Sequence, residues 1–237
     1  MRVVILQPSY LPWLGFFDQL YQSDVFVVYD DVQYDKHGWR NRNRIKTPQG
    51  PQWLTVPVLT HGQGKPTNRD VRIQTHELWR RKHLQALRTH YGRAPAFAEI
   101  FPRIEDWLSK EWEYLWELNL AGLHLVCAML GLQRDIRLAS ALGIGGGQTE
   151  RLVRICQVLG ADHYLSGDAA RAYLDEGAFT AAGIQVEYHG YQHPTYAQLH
   201  GDFVSHLSII DLIMNHGARS LEILVDRRVR VPEGTDA

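Results

Sequence analysis

Two short apolar runs near the N-terminus constrain the fold more than any other feature of the chain. Val3-Val4-Ile5-Leu6 stops at Gln7-Pro8, and Val25-Phe-Val-Val-Tyr29, entered from Asp24, stops at Asp30-Asp31. Both runs are continuous rather than alternating, the pattern of strands buried on both faces of a parallel sheet. Residues 15–21 between them read as a helix. Strand, helix and strand within about 30 residues make a βαβ unit with parallel pairing. The alternation returns in the last third. A strand over 136–139 precedes a helix capped by Thr149, with Leu152, Ile155, Cys156 and Leu159 on its core face. A short strand over 163–165, a short helix over 169–175 and a strand over 184–188 follow. The predicted fold class is therefore α/β, a Rossmann-like parallel sheet.

The middle of the chain is helical by pattern. One helix is expected over 78–91. A stripe of Ile104, Trp107, Leu108, Trp112 and Leu115 is continued by Leu120, Leu123, Cys127 and Leu130. Residues 76–132 read as a helical insertion in one α/β domain of residues 1–226, followed by a polar, frayed tail at 227–237. Strands are also expected over 53–58 and 71–73. Phe203, Leu207, Ile210 and Met214 step by four, three and four, which marks one helix face.

Charge and composition remove several function classes. Lys and Arg total 25 against 26 Asp and Glu, so a strongly basic nucleic-acid binder is not expected. The two cysteines, Cys127 and Cys156, each sit in an apolar helical pattern, which leaves no disulfide framework and no Cys-based zinc site. The apolar stretch 115–132 is interrupted by Glu117, Asn119, Gly122 and His124. It reads as a buried helix, because a bilayer span needs about 20 mostly apolar residues. The first apolar run is too short for a signal peptide. A cytoplasmic protein with no membrane partner is expected.

Ligands of open parallel sheets collect at the carboxyl ends of the strands. Three expected strands end in polar residues. After the first, Gln7, Tyr10 and Trp13 offer an amide, a phenol and a flat face on a loop stiffened by Pro8 and Pro12. After the second come Asp30, Asp31, Gln33 and Tyr34. Adjacent carboxylates can act as a general base or hold Mg²⁺, and neighbours on a strand end point to opposite faces, so one of the two faces the cleft. A third strand ends at Ser166-Gly167. The segment Trp39-Arg-Asn-Arg-Asn-Arg-Ile-Lys46 is the strongest local signal. In extended form it places Arg40, Arg42, Arg44 and Lys46 on one side and Asn41 and Asn43 on the other. Such a row suits phosphate or carboxylate groups. A solvated edge strand and an RNA-binding arm are the alternatives. Gly143-Ile-Gly-Gly-Gly-Gln-Thr149 precedes a helix and offers free N–H groups to an anion, with Arg151 nearby, but lacks the lysine of a P-loop. His189, His193 and His200 form the nearest approach to a metal cluster, and no metal is assigned.

These motifs resemble one family. Gln7-Pro-Ser-Tyr-Leu-Pro-Trp-Leu-Gly-Phe-Phe17, Tyr29-Asp-Asp-Val-Gln-Tyr34 and the Trp39–Lys46 run look like the WbqC-like protein family. So do Tyr164-Leu-Ser-Gly167, Tyr173-Leu-Asp175 and Leu207-Ser-Ile-Ile-Asp-Leu212. The resemblance implies a bacterial protein of the kind encoded among surface-polysaccharide genes, with a role in modifying an amino sugar. The N-terminal order of strand, Pro, aromatic loop, Gly, helix and Gln-Tyr is also similar to pantothenate synthetase and the HIGH-motif nucleotidyltransferase-like enzymes. Those enzymes form an adenylate and then an amide. Trp13 and Phe16 stand here in place of the two histidines of that motif.

The resulting expectation is an acyltransferase or amide-forming ligase that transfers an acyl or aminoacyl group to an amino sugar or similar amine, with a nucleotide-linked amino sugar among the candidate acceptors and ATP, coenzyme A or an acyl carrier protein thioester as the source of the acyl group. Asp30 or Asp31 would be the catalytic base. Gln7, Tyr10, Trp13, Gln33, Tyr34, Asn41, Arg42, Asn43, Arg44, Ser166 and Gly167 would bind substrate, and these segments are expected to line one cleft. The alternative is a non-catalytic sugar-nucleotide or RNA-binding protein.

Overall fold

The structure is a computed structural model that describes residues 1–36, 38–59, 64–74 and 78–226. The tail expected at 227–237 lies outside the described residues. The elements in chain order are β1 (Arg2–Leu6), α1 (Leu14–Gln22), β2 (Val25–Val28), β3 (Arg42–Thr47), β4 (Gly50–Thr55), β5 (Val58–Leu59), β6 (Arg72–Ile73), α2 (Trp79–Tyr91), α3 (Phe97–Ser109), α4 (Leu115–Leu130), β7 (Asp135–Leu138), α5 (Gln148–Leu159), β8 (His163–Ser166), α6 (Glu176–Ala181), β9 (Gln185–Tyr188), α7 (Ile209–His216) and α8 (Ser220–Val225). They cluster into two compact units. One holds residues 1–7, 18–32 and 134–191, and the other holds 8–17, 33–133 and the chain from 192 on. The helices α2 to α4, read from sequence as an insertion, share their unit with the Pro8–Phe17 segment and the C-terminal helices.

The first unit is a Rossmann-like five-stranded sheet in the order β7-β2-β1-β8-β9, parallel throughout. β1 is central, and the order reverses between β1 and β8, the switch point where such sheets bind ligands. Val3, Ile5, Val25, Val27 and Tyr164 face one side and pack with Ile155 and Cys156 of α5 and Phe179 of α6. Val4, Phe26, Val28 and Leu165 are buried too. Burial on both faces explains why the strand sequences are continuous apolar runs. Fully burying each such side chain contributes about 1.5–3 kcal/mol.

The second unit carries an antiparallel hairpin, β3–β4, paired from Arg42↔Thr55 to Thr47↔Gly50. Pro48-Gln49 makes the two-residue loop, and Gly50 closes it at φ 104°. β5 and β6 form a second small antiparallel pair.

Several expected boundaries moved, each for a visible reason. The stripe from Ile104 to Leu115 is broken between α3 and α4. Ile73 N–H donates to the Glu113 carbonyl and Leu115 N–H to that of Val71, so this stretch is extended beside β6. The expected helix through Phe203 begins only at Ile209, capped by Ser208, whose hydroxyl accepts from Ile210 N–H at 3.3 Å. Just upstream His206 has φ 56°, a left-handed conformation that no helix admits. Gly147, not Thr149, is the N-cap of α5. The short helix near 169–175 is a 3₁₀ turn over Asp168–Ala172. Trp53–Val58 splits into β4 and β5. Among the described residues no helix is long and apolar enough to cross a membrane.

Candidate functional site

In the first unit the carboxyl ends of the strands present Gln7, Asp30, Asp31, Ser166 and Gly167. Their chemistry is largely directed at the protein. Asp30 is fully buried and accepts from the Ser140 N–H at 3.0 Å and hydroxyl at 2.6 Å, which joins the end of β2 to the turn after β7. Asp31 is ion-paired to Arg151 at 2.6 Å. Arg151, read from sequence as a helper for an anion, also donates to the Ile144 carbonyl and lies over the Tyr29 ring. Ser166 is buried at the end of β8. His189 follows β9, its N–H bonded to the Ser166 carbonyl. Its Nε2 meets Asp18 Oδ2 at 2.6 Å, with both side chains almost wholly buried, and Gln22 donates to the same carboxylate oxygen at 2.7 Å.

In the second unit β3 alternates. Arg42 and Arg44 are half-buried, whereas Asn43 and Ile45 point into the protein. The asparagines are ties rather than ligands to solvent. Asn41 donates to the Val56 carbonyl at 2.8 Å, and Asn43 donates to the Leu11 carbonyl at 2.7 Å. Lys46 leaves the expected row of cations. It is buried, and its ammonium donates to the carbonyls of Gly201 and Asp202. Arg40 donates to the Ser9 hydroxyl at 2.8 Å. Burial lowers its pKa, partly offset by Asp35 and Tyr34.

Arg42 and Arg44 instead lie on aromatic rings. Arg42 Cζ is 4.6 Å from the Trp53 ring centre, and Arg44 Cζ is 5.5 Å from Trp39 and 5.7 Å from Trp53. The two indoles are 5.0 Å apart and are 38% and 43% exposed. Exposed tryptophans beside two guanidiniums offer a flat apolar plane next to bidentate donors. Arg44 Nε is buried with no hydrogen-bond partner among the described residues.

The aromatic loop after β1 is less open than its sequence suggests. Tyr10 is fully buried, its hydroxyl 2.9 Å from His83 Nδ1 and its ring stacked on Trp107. Burial raises its pKa and pushes that of His83 down to about 4. Tyr34 is also buried, its phenol pushed up to about 12 chiefly by desolvation, while Gln33 is exposed and bridges to Thr67. Trp13 remains partly exposed and stacks on His206 at 5.2 Å. Among the described residues no group of three or more His, Cys, Asp or Glu is placed to hold a metal ion.

A model of the WbqC-like protein family matches residues 7–223. The chain belongs to the WbqC-like protein family. It is also similar to "Uncharacterized protein Rv1507c" of Mycobacterium tuberculosis (strain ATCC 25618 / H37Rv). The two are 40% identical over 231 residues, spanning 94% of this chain and 97% of that protein. No solved structure matches the chain.

The WbqC-like match begins at Gln7, the first polar residue after β1, and takes in the whole Arg–Trp hairpin. Reading by residue type missed three features of this WbqC-like chain. The Trp53 platform arises only from the β3–β4 register, which sets Arg44 opposite Trp53. The Thr47-Pro-Gln-Gly50 turn between two strands was its available signal. The Asp18–His189 pair joins residues 171 apart, and the left-handed conformations of Leu11 and His206 have no signature in composition.

Proposed function

We propose that this WbqC-like protein binds a phosphate-linked amino sugar on the Arg42–Arg44–Trp39–Trp53 face and forms an amide on the sugar's amine, as part of surface-polysaccharide biosynthesis. The observation that carries the reading is the pairing of two half-buried guanidiniums with two exposed indoles on one hairpin. Guanidiniums take the oxygens of a diphosphate two at a time, and an indole face takes the apolar face of a sugar or base. The WbqC-like family's association with polysaccharide biosynthesis supports the acceptor class. The acyl group would arrive as a thioester or an adenylate.

Calorimetry with UDP-glucosamine tests the binding half. Arg42→Lys keeps the charge but loses the planar fork, so affinity should fall by about tenfold or more. Unchanged affinity would remove Arg42 from the site. Mass spectrometry for an N-acylated product, with acetyl coenzyme A or with ATP and a carboxylate, tests the chemistry. A second reading, a binding protein without turnover, is favoured by the engagement of both Asp30 and Asp31 with Ser140 and Arg151. It stands if the sugar nucleotide binds and no donor yields product.

A further inference from the structure

If neither aspartate takes the proton of the attacking amine, another group must. The second unit contains an imidazole that is partly exposed, rigidly placed and next to the arginines. His206 has φ 56° and Leu11 φ 43°, left-handed conformations that are uncommon outside glycine, and for a leucine most of all. Such outliers persist where the surroundings over-determine them, and they cluster at functional sites. Here the surroundings are visible. Ser208 N–H donates to the Arg44 carbonyl at 2.9 Å, Arg44 Nη2 reaches the His206 carbonyl at 3.4 Å, and Trp13 forms an antiparallel bridge with Ser208. Asn43 holds the Leu11 carbonyl from the same strand as Arg44.

The ring is as constrained as the backbone. It stacks on Trp13 at 5.2 Å and 20°, and contacts His193 at 5.2 Å and 44°. The Trp13 indole lies flat over Gly15, where an added Cβ would sit 2.5 Å from Cη2, so only glycine admits this placement. His206 Nδ1 is 2.8 Å from Ser205 Oγ. With Nδ1 donating to that hydroxyl, Nε2 carries the lone pair. Four other described histidines of the unit have structural contacts. His83 and His193 are buried, and His200 and His216 meet the carbonyls of His90 and Ala197.

We propose that His206 is a catalytic residue at the Arg42–Arg44 face, relaying the proton of the acceptor amine during amide formation. This rests on the reading of that face as an amino-sugar site. The neutral amine attacks the acyl carbon of a thioester. The C–N bond forms and the C–S bond breaks. His206 Nε2 accepts the proton lost by nitrogen and returns it to the departing thiolate, so that an amine and a thioester become an amide and a thiol. Trp13 and Ser205 are positioning residues for the ring.

Two measurements test this separately from the binding reading. The first is carbethoxylation of the whole protein by diethyl pyrocarbonate, followed by peptide mass spectrometry, with and without UDP-glucosamine. His206 should react in the free protein and be protected about tenfold or more by saturating ligand, as direct contact requires. The second is His206→Asn, because asparagine tolerates the left-handed backbone. UDP-glucosamine affinity should stay within about twofold of wild type while N-acetylation from acetyl coenzyme A falls about 10²–10⁴-fold. If calorimetry shows the sugar nucleotide bound but His206 reactivity is unchanged, or if the asparagine variant still turns over, the assignment of His206 is overturned and the site reading stands. If the wild type neither binds the sugar nucleotide nor acylates it, the site reading falls and His206 falls with it.

Discussion

In the parallel-sheet unit the polar residues at the strand ends are turned onto protein partners, whereas in the hairpin unit two cations lie on partly exposed indoles. Asp30 holds the Ser140 turn and Asp18 holds His189, both in buried settings. Arg42 and Arg44 keep guanidinium faces against Trp53 and Trp39. A motif's position at the carboxyl edge of a parallel sheet is therefore a weaker guide to chemistry here than the partners its side chains have found. The hairpin unit also buries polar groups, but it does so to aim others. Asn43 and Lys46 are spent on carbonyls, and this fixes the strand that presents Arg42 and Arg44.

The largest expected effect is acid sensitivity of the hairpin unit. His83 and His193 both belong to it, and burial pushes each down to about 4. An unfolded histidine titrates near 6.5, so between about pH 6.5 and 4 the unfolded chain binds more protons than the folded one. Their contribution is fully present above about pH 6.5 and is lost as pH falls toward 4, on the order of 3 kcal/mol for each at most. Chemical denaturation at pH 7, 6 and 5 should show this slope, and His83→Gln should flatten it. An unchanged slope would mean that His83 is solvated in the native state.

Next in size is Asp30→Ala. It removes the fully buried carboxylate that accepts from the half-buried Ser140 N–H and hydroxyl, which costs about 3 kcal/mol. Asp30→Asn keeps one acceptor and should cost less, about 1–2 kcal/mol. Denaturant midpoints of the two variants give the comparison. A stable Asp30→Ala protein that still binds sugar nucleotide but no longer turns over would reverse the contrast between the units.

How much was legible in the sequence follows from the same contrast. The runs Val3–Leu6 and Val25–Val28 announced a doubly buried parallel sheet, because a strand covered on both faces has no polar alternation to conceal it. The alternation from Arg40 to Lys46 places four cations on one side if the segment is extended, as it is from Arg42 to Thr47. It did not announce that Lys46 would turn inward, because that depends on the carbonyls of Gly201 and Asp202, distant in sequence. The hydrophobic spacing around Phe203 and Leu207 suggested a helix, and the contacts of Arg44 with Ser208 and His206 overrode it. Long-range side-chain-to-backbone ties are what periodicity cannot see.

Gly15→Ala probes the hairpin unit more gently. The added methyl meets the Trp13 indole at 2.5 Å, so the ring must move, at an overpacking cost of about 1–3 kcal/mol. Because His206 stacks on that ring, the variant should lose turnover more than thermal stability. A thermal melt alongside an N-acylation assay reads both, and equal, proportionate losses would make Trp13 a packing residue only.

The smallest effect on stability belongs to Asp31→Asn, and it separates the two aspartates of one strand end. The Asp31–Arg151 pair is short, at 2.6 Å, but 25% of the Asp31 side chain remains exposed. Partly solvated pairs contribute about 1 kcal/mol or less. Arg151 also keeps its bond to the Ile144 carbonyl and its place over Tyr29 when the carboxylate is neutralised. The melting temperature should therefore move by only a few degrees, far less than for Asp30→Ala. The carboxylate oxygen that Arg151 holds is already engaged within the protein, so turnover should also be nearly unchanged. A fall in turnover of about 10²–10⁴-fold with binding intact would instead make Asp31 the base. The chemistry would then belong to the parallel-sheet unit rather than to His206.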